Sequence, residues 1–215
     1  MKQKMENSKR KILLAMITLL SNFLDSLGLK GTNKEELIDY YNDISSLAEY
    51  EIGIQFKNEG NLHAAIVMAN IFSHSHKNLK IFAGNFNGAV SDTSIYLESL
   101  KGYIERGGDI EIIFEELPSG KSKALSILKE YKSNPIFKEK IKISIANQSS
   151  LKKYLSYLKE TNSMVHFTIG DDKMYRCELD TTTYKALCNF DDKKFSANLS
   201  QLFNILKVDA KPILS

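Results

Sequence analysis

Apolar positions recur at helical spacing from the start of the chain. Ile12, Met16, Leu19, Leu20, Phe23, Leu24 and Leu27 fall on one stripe and predict an amphipathic helix over 8–27. A second helix is predicted over 34–50, set off by Gly28 and Gly31 and capped by Thr32 or Asn33. A third, rich in Ala, Ile and Met, covers about 61–75. The rhythm then changes. Short continuous apolar runs at 79–83, 110–114 and 141–146 alternate with helical patterns at 92–106, 121–132 and 149–160. Gly107-Gly108 closes the first of those helices. Unbroken apolar strands alternating with helices predict a parallel sheet covered on both faces. Beyond residue 160 three strands follow without a helix between them, at about 164–170, 173–179 and 184–190. Asp171-Asp172 makes the first pair a hairpin, and a last helix runs over 192–206. The predicted class is α/β: a mixed, mostly parallel sheet flanked by helices, with a helical N-terminal segment, 1–55, ahead of an α/β domain, 56–215. Only the change of rhythm near residue 55 marks that boundary.

Composition narrows the function classes. In 215 residues, 29 basic and 26 acidic side chains leave a net charge of +3, too small by itself to argue for nucleic acid. Cys177 and Cys188 sit on neighbouring predicted strands, in no C-x-x-C or zinc-type spacing, which fits a reduced, cytoplasmic chain. Lys9-Arg10-Lys11 ahead of an apolar run has the outline of a signal peptide, but Ser21, Asn22 and Asp25 interrupt the run. No stretch approaches the ~20 apolar residues of a membrane span. The first helix is expected to pack on protein, with a membrane-surface helix as the alternative.

Candidate chemistry concentrates in the last quarter. Residues 165–172 read V-H-F-T-I-G-D-D and are followed by K-M-Y-R-C-E-L. Period-2 alternation puts His166 and Thr168 on one face, and the hairpin brings Arg176 and Glu178 to the same face. Arg176 and Glu178 are read either as a ligand-contacting pair or as a structural ion pair, and Asp172 as a second partner for Arg176. Asn85, Asn87 and Ser91 follow the first α/β strand, where open α/β sheets hold their ligands, and are candidate pocket-wall residues, with a plain polar turn as the alternative. Gly120-Lys121-Ser122 has the form of the end of a phosphate-binding loop, but Glu115 stands where its first glycine belongs and Glu115-Glu116 would repel phosphate. His63, His74 and His76 lack the companions of a metal site, so no metal and no cofactor are expected. The lysines from Lys121 to Lys142 form a basic stretch that either tracks a nucleic-acid backbone or is a solvated surface.

The order of elements over about 60–207 resembles one half of the phospholipase D superfamily. Asn78-Leu79-Lys80-Ile81-Phe82-Ala83 looks like that family's opening strand, and 103–112, Y-I-E-R-G-G-D-I-E-I, like its helix, Arg-Gly, strand step. His166 stands in the place of the family's catalytic histidine. The family motif is H-x-K, four residues, then D. This chain has Thr168 in place of the lysine and Lys173 in place of the aspartate, with Asp172 one residue early.

The resemblance implies a covalent phosphohistidine formed by one histidine, with a second histidine as acid and lysines neutralising the phosphate. A single-motif chain has to dimerise to supply both. Losing a cation from such a site costs about 10²–10³ in rate. The expected function is therefore a catalytically degenerate phospholipase D-like domain, acting as a binding or assembly subunit, as a homodimer or with a partner protein, in a bacterial cytosolic system. The alternative is a metal-independent phosphodiesterase or nuclease that works as a dimer through His166, with Arg176 replacing the lost lysine. The N-terminal helices are the expected docking arm for a partner, and nucleic acid stays open as a ligand.

Overall fold

The computed structural model describes residues 2–86, 88–118, 120–158 and 164–214, with side chains from residue 14 onward. Two helices come first, α1 (Lys2–Ser26) and α2 (Thr32–Glu49). They are followed by β1 (Phe56–Asn58), α3 (Asn61–His74), β2 (Asn78–Ala83), α4 (Ser94–Glu105) and β3 (Asp109–Phe114). Next come α5 (Lys123–Ser133), a 3₁₀ turn (Lys138–Lys140), β4 (Ile141–Ile145) and α6 (Gln148–Leu158). The chain ends with β5 (Phe167–Gly170), β6 (Met174–Asp180), β7 (Lys185–Asn189), α7 (Lys193–Lys207) and β8 (Lys211–Pro212).

All eight strands form one sheet, ordered β1-β7-β6-β5-β2-β3-β4-β8. The sheet is mixed and flanked by helices, as expected, but it is not mostly parallel. Only β2–β3 and β3–β4 run parallel; the other five neighbouring pairs are antiparallel. The helix-linked strands give the parallel centre. The three helix-free strands fold back on it as hairpins, and the short strands β1 and β8 cap the two edges, both antiparallel. These two have three and two residues, too few to carry a period-2 pattern in the sequence.

Side chains alternate between two cores. Leu79, Ile81, Ile110 and Ile112 face α3, α4 and α5, whereas Phe82, Ile113, Phe167, Ile169 and Tyr175 face α6 and α7. Helix α3 is apolar nearly all round and buries every residue from Ala64 to Phe72, as a helix wedged between a sheet and other helices must. Leu20 and Leu24 of α1 and Tyr41, Ile44 and Ala48 of α2 join the same core. These two helices thus pack on the sheet domain. Gly108 is required where β3 starts, because a Cβ there would lie 2.1 Å from the ring of Tyr103. No helix among the described residues is long and apolar enough to cross a membrane.

Candidate functional site

The carboxyl ends of β2 and β3 and the start of β5 meet at one cavity of about 320 Å³. Past the parallel ladder the backbone continues the pairing, with Glu115 N–H donating to the Ala83 carbonyl (2.8 Å) and Glu116 N–H to that of Gly84 (3.2 Å). That register carries Glu115 past the end of β3, where it meets His166 across the end of β2, just ahead of β5. Gly84 lets the imidazole lie flat on the backbone: a Cβ there would come within 3.2 Å of His166 Cε1. The ring also packs edge-on against Phe82, centroids 5.3 Å apart.

The hairpin registers as the alternation predicts. Thr168 pairs with Arg176, and Glu178 N–H donates to the His166 carbonyl (2.8 Å). His166, Thr168, Arg176 and Glu178 therefore share one face and all line the cavity, together with Asn85 and Ser91. Asn87 lies outside the described residues. Asp172 is not brought there. It sits in the turn past the far end of β5, where it pairs with Lys80 at 2.7 Å. That lysine holds its carboxyl below the usual range.

His166 is gripped from both sides. Nε2 lies 2.8 Å from Glu115 Oε2, and Nδ1 lies 4.0 Å from Glu178 Oε1, an ion-pair distance rather than a hydrogen bond. Burial alone would lower the imidazole pKa, but the carboxylates of Glu178 and Glu115 more than reverse that, and the net shift is upward. Burial likewise pushes Glu178 up, while His166 and Arg176 together hold it below the ordinary carboxylate value.

Arg176 is buried at 6% exposure, and each of its three nitrogens donates one hydrogen bond. Nη1 donates to Glu178 Oε2 (2.7 Å), Nε to Asn58 Oδ1 (3.2 Å) and Nη2 to the Tyr184 carbonyl (2.9 Å). Asn58 also donates to the Tyr184 carbonyl and accepts from the Cys188 thiol. Tyr184 presents that carbonyl from a left-handed conformation, φ 56°. Both cysteines are free and buried, and burial pushes each thiol up to about 12.

The other sequence candidates resolve into structure. Ser122 caps α5, accepting from Leu125 N–H at 3.2 Å, and Asp92 Oδ1 accepts from Lys123 and Ala124 N–H at the same helix end. A carboxylate thus occupies the place a phosphate would take in a phosphate-binding loop. Among the described residues no group of three or more His, Cys, Asp or Glu is arranged to hold a metal.

Two members of the site were not expected from sequence. Glu115 arrives from a strand end 51 residues before His166. Its signal was an acidic residue at the carboxyl end of a parallel strand, where ligands bind. Asn58 comes from the three-residue edge strand β1.

No known family's sequence profile matches the chain, and no curated protein matches it. Solved structures do. TrmBL2, an archaeal chromatin protein whose structure shows a novel mode of DNA binding, aligns with TM-score 0.53 and 14% identity over 99% of this chain and 69% of its own. Nuc from Salmonella typhimurium, a phospholipase D family member, aligns with TM-score 0.50 and 10% identity over 75% and 100%. NucT from Helicobacter pylori aligns with TM-score 0.50 and 12% identity over 74% and 99%. At these identities the likeness shows the fold, which is phospholipase D-like.

Proposed function

We propose that this chain is a catalytically silent phospholipase D-like domain, a binding or assembly subunit that keeps the family's cavity without its hydrolytic chemistry. The observation that carries this reading is the contact between His166 Nε2 and Glu115. A histidine nucleophile needs a free lone pair. Facing a carboxylate at 2.8 Å, Nε2 carries its proton toward Glu115 and has no lone pair of its own to attack with. The second support is electrostatic. Thr168 supplies no charge where the resemblance calls for lysine, and Arg176, the residue that would replace it, is committed to Glu178, Asn58 and Tyr184. Glu115, Glu116 and Glu178 line the cavity a phosphodiester would have to enter.

The test is hydrolysis of a generic phosphodiester and of single- and double-stranded DNA and RNA, with EDTA present, by the wild type and by His166→Ala. No turnover by either protein is expected. Turnover by the wild type that disappears in His166→Ala would overturn the reading in favour of a phosphodiesterase or nuclease working through His166.

Nucleic-acid binding without hydrolysis is a second reading, favoured by the structural likeness to a DNA-binding chromatin protein. A gel-shift titration with duplex DNA at two salt concentrations checks it. A complex that weakens steeply with salt would support backbone contacts by the lysines of 121–142.

A further inference from the structure

We infer that the cavity is a fork in the sheet whose two arms are braced by the proton on His166, so that losing this proton lets the arms part. The inference concerns the regulation of that cavity and rests on the non-hydrolytic reading above, in which His166 is not spent on catalysis.

The fork is visible in the strand pairing. β2 and β5 pair antiparallel from Leu79 with Gly170 to Phe82 with Phe167, and there the pairing stops. On one side β2 stays with β3: Ala83 pairs with Phe114, and the N–H groups of Glu115 and Glu116 go on donating to the carbonyls of Ala83 and Gly84. On the other side His166 stays with β6, its carbonyl accepting from the Glu178 N–H. Ala83 and His166, which would form the next pair, therefore belong to different arms. The cavity opens between these arms, with Asn85, Phe86 and Glu115 lining it from the first and Arg176 and Glu178 from the second.

Among the described residues, the two arms are joined across the gap by His166 Nε2 and Glu115 Oε2, 2.8 Å apart. The start of α3 adds a longer contact to the loop after β2, Asn61 Nδ2 to the Ala89 carbonyl at 3.4 Å, and that contact holds no titratable group.

Charge decides how the brace answers to pH. With the imidazole protonated, Glu115, His166, Glu178 and Arg176 form a row of alternating sign, and the enclosed charges balance. Glu115 stands on the first arm. The other three stand on the second, where Asn58 and the Tyr184 carbonyl anchor Arg176. Removing the proton leaves two carboxylates against one guanidinium in a half-buried recess, which is unfavourable. Glu178 keeps its partner, Arg176 Nη1 at 2.7 Å. Glu115 keeps only a neutral donor, and it has the way out to water: its side chain is 26% exposed against 11% for Glu178. The first arm is therefore the one released.

The other described surroundings of the imidazole are the end of β2, α6, α4 and the cavity mouth. The end of β2 presents Phe82 and Gly84, which do not titrate. α6 sets Tyr154 behind Phe82, with its hydroxyl given to the Val165 carbonyl, and α4 contributes Tyr96 to the lining; burial pushes both phenols up. Tyr184 lines the far side, and Glu116 lies exposed at the mouth.

Coupling of this kind is reciprocal. A ligand that has to part the arms to enter also releases the imidazole proton, and acid closes the cavity against it.

Spin labels on Leu117→Cys and Leu179→Cys, exposed positions on the two arms, report the gap by pulsed electron paramagnetic resonance on the full chain. The native Cys177 and Cys188 are buried, with thiols pushed up to about 12, and so label slowly. Distances are taken below and above the imidazole midpoint, which a ¹H–¹⁵N spectrum locates. The expected result is a distance that lengthens by more than about 2 Å above that midpoint, the scale of a loop rearrangement. In the same labelled chain Glu115→Gln is expected to remove the pH dependence, and a thermal melt confirms that this variant is folded. A distance that stays constant across the midpoint, or that changes equally in Glu115→Gln, overturns the brace and leaves the non-hydrolytic reading standing. An imidazole that does not titrate between about pH 5 and pH 9 does the same. Phosphodiester hydrolysis that depends on His166 in the companion assay overturns the non-hydrolytic reading, whatever the distances show.

Discussion

The two ends of β5 hold similar residues and use them differently. At the turn end, Asp171 accepts N–H bonds from His76 (2.8 Å), Lys77 (2.8 Å) and Asn78 (3.1 Å), and Asp172 takes Lys80. These carboxylates are clips: they tie the hairpin to the start of β2, and every polar atom they meet belongs to the scaffold. At the other end, Glu115 and Glu178 bracket His166 around an open cavity, beside a hydroxyl left unpaired. An acidic turn following a histidine in sequence is therefore no guide to a site. What separates the two ends is which strand termini converge. The turn lies at the amino end of β2, and the cavity lies at the carboxyl ends of β2 and β3, where parallel strands leave space between diverging loops.

Arg176→Ala should have the largest effect. It strands Glu178 in the core and removes the donor to Asn58 and Tyr184, so a loss of about 3–5 kcal/mol is expected in urea unfolding. Arg176→Met combined with Glu178→Leu should recover most of that loss, because the two charges then leave together. A double variant as unstable as the single one would show that the hydrogen bonds to Asn58 and Tyr184 dominate instead.

Asp171→Ala comes next, with a loss of about 2 kcal/mol, comparable to removing a strong helix cap. Its backbone sits at φ 49°, so alanine also loses the tolerance for the left-handed region that Asp has. The contrast between the ends predicts that this variant leaves the His166 titration unchanged, which a ¹H–¹⁵N spectrum of the imidazole checks.

Much of this contrast was legible in the sequence, though not all. Alternation and the hairpin placed His166, Thr168, Arg176 and Glu178 on one face, because period 2 is a local property. The same locality made Asp172 look like part of the site: it lies six positions past His166, and nothing local says that those positions run away from the cavity. Glu115 was read only as an obstacle to phosphate, since its meeting with His166 depends on β5 pairing with β2 rather than extending the parallel run. The parallel helix-linked core was readable from its apolar strands. The antiparallel majority depends on the edges, where β1 and β8 are too short to announce themselves.

pH gives a third, smaller effect. The His166 pKa is raised above its unfolded value of 6.5, so its contribution to stability is fully present below that pH and is lost as pH rises through the folded-state value. Stability should therefore decline as pH rises from 6.5 through the folded-state value. Glu115→Gln should lower the His166 pKa toward the unfolded value and flatten that slope. An unchanged imidazole titration in this variant would mean that Glu178 alone sets it.

Asp172→Asn should matter least. Its pair with Lys80 is partly exposed, and such pairs contribute about 0–1 kcal/mol. Its depressed pKa makes that contribution present above the unfolded carboxylate pKa and lost as pH falls through the folded value. A large loss of stability here would erase the distinction between an exposed clip and a buried grip.

The stubs at the two sheet edges carry a consequence of their own. An open sheet invites another chain to extend its ladder, and long flat edges are the usual starting points for aggregation. Here one border closes with three residues, Phe56–Asn58, including an outward Lys57, and the other with Lys211–Pro212. Proline has no N–H to offer an incoming strand, and lysine makes a neighbouring backbone costly to approach. The molecule thus carries gatekeepers on both flanks. Backbone templating is disfavoured at both flanks, and crowding in a cell should find little ladder on which to grow a fibre.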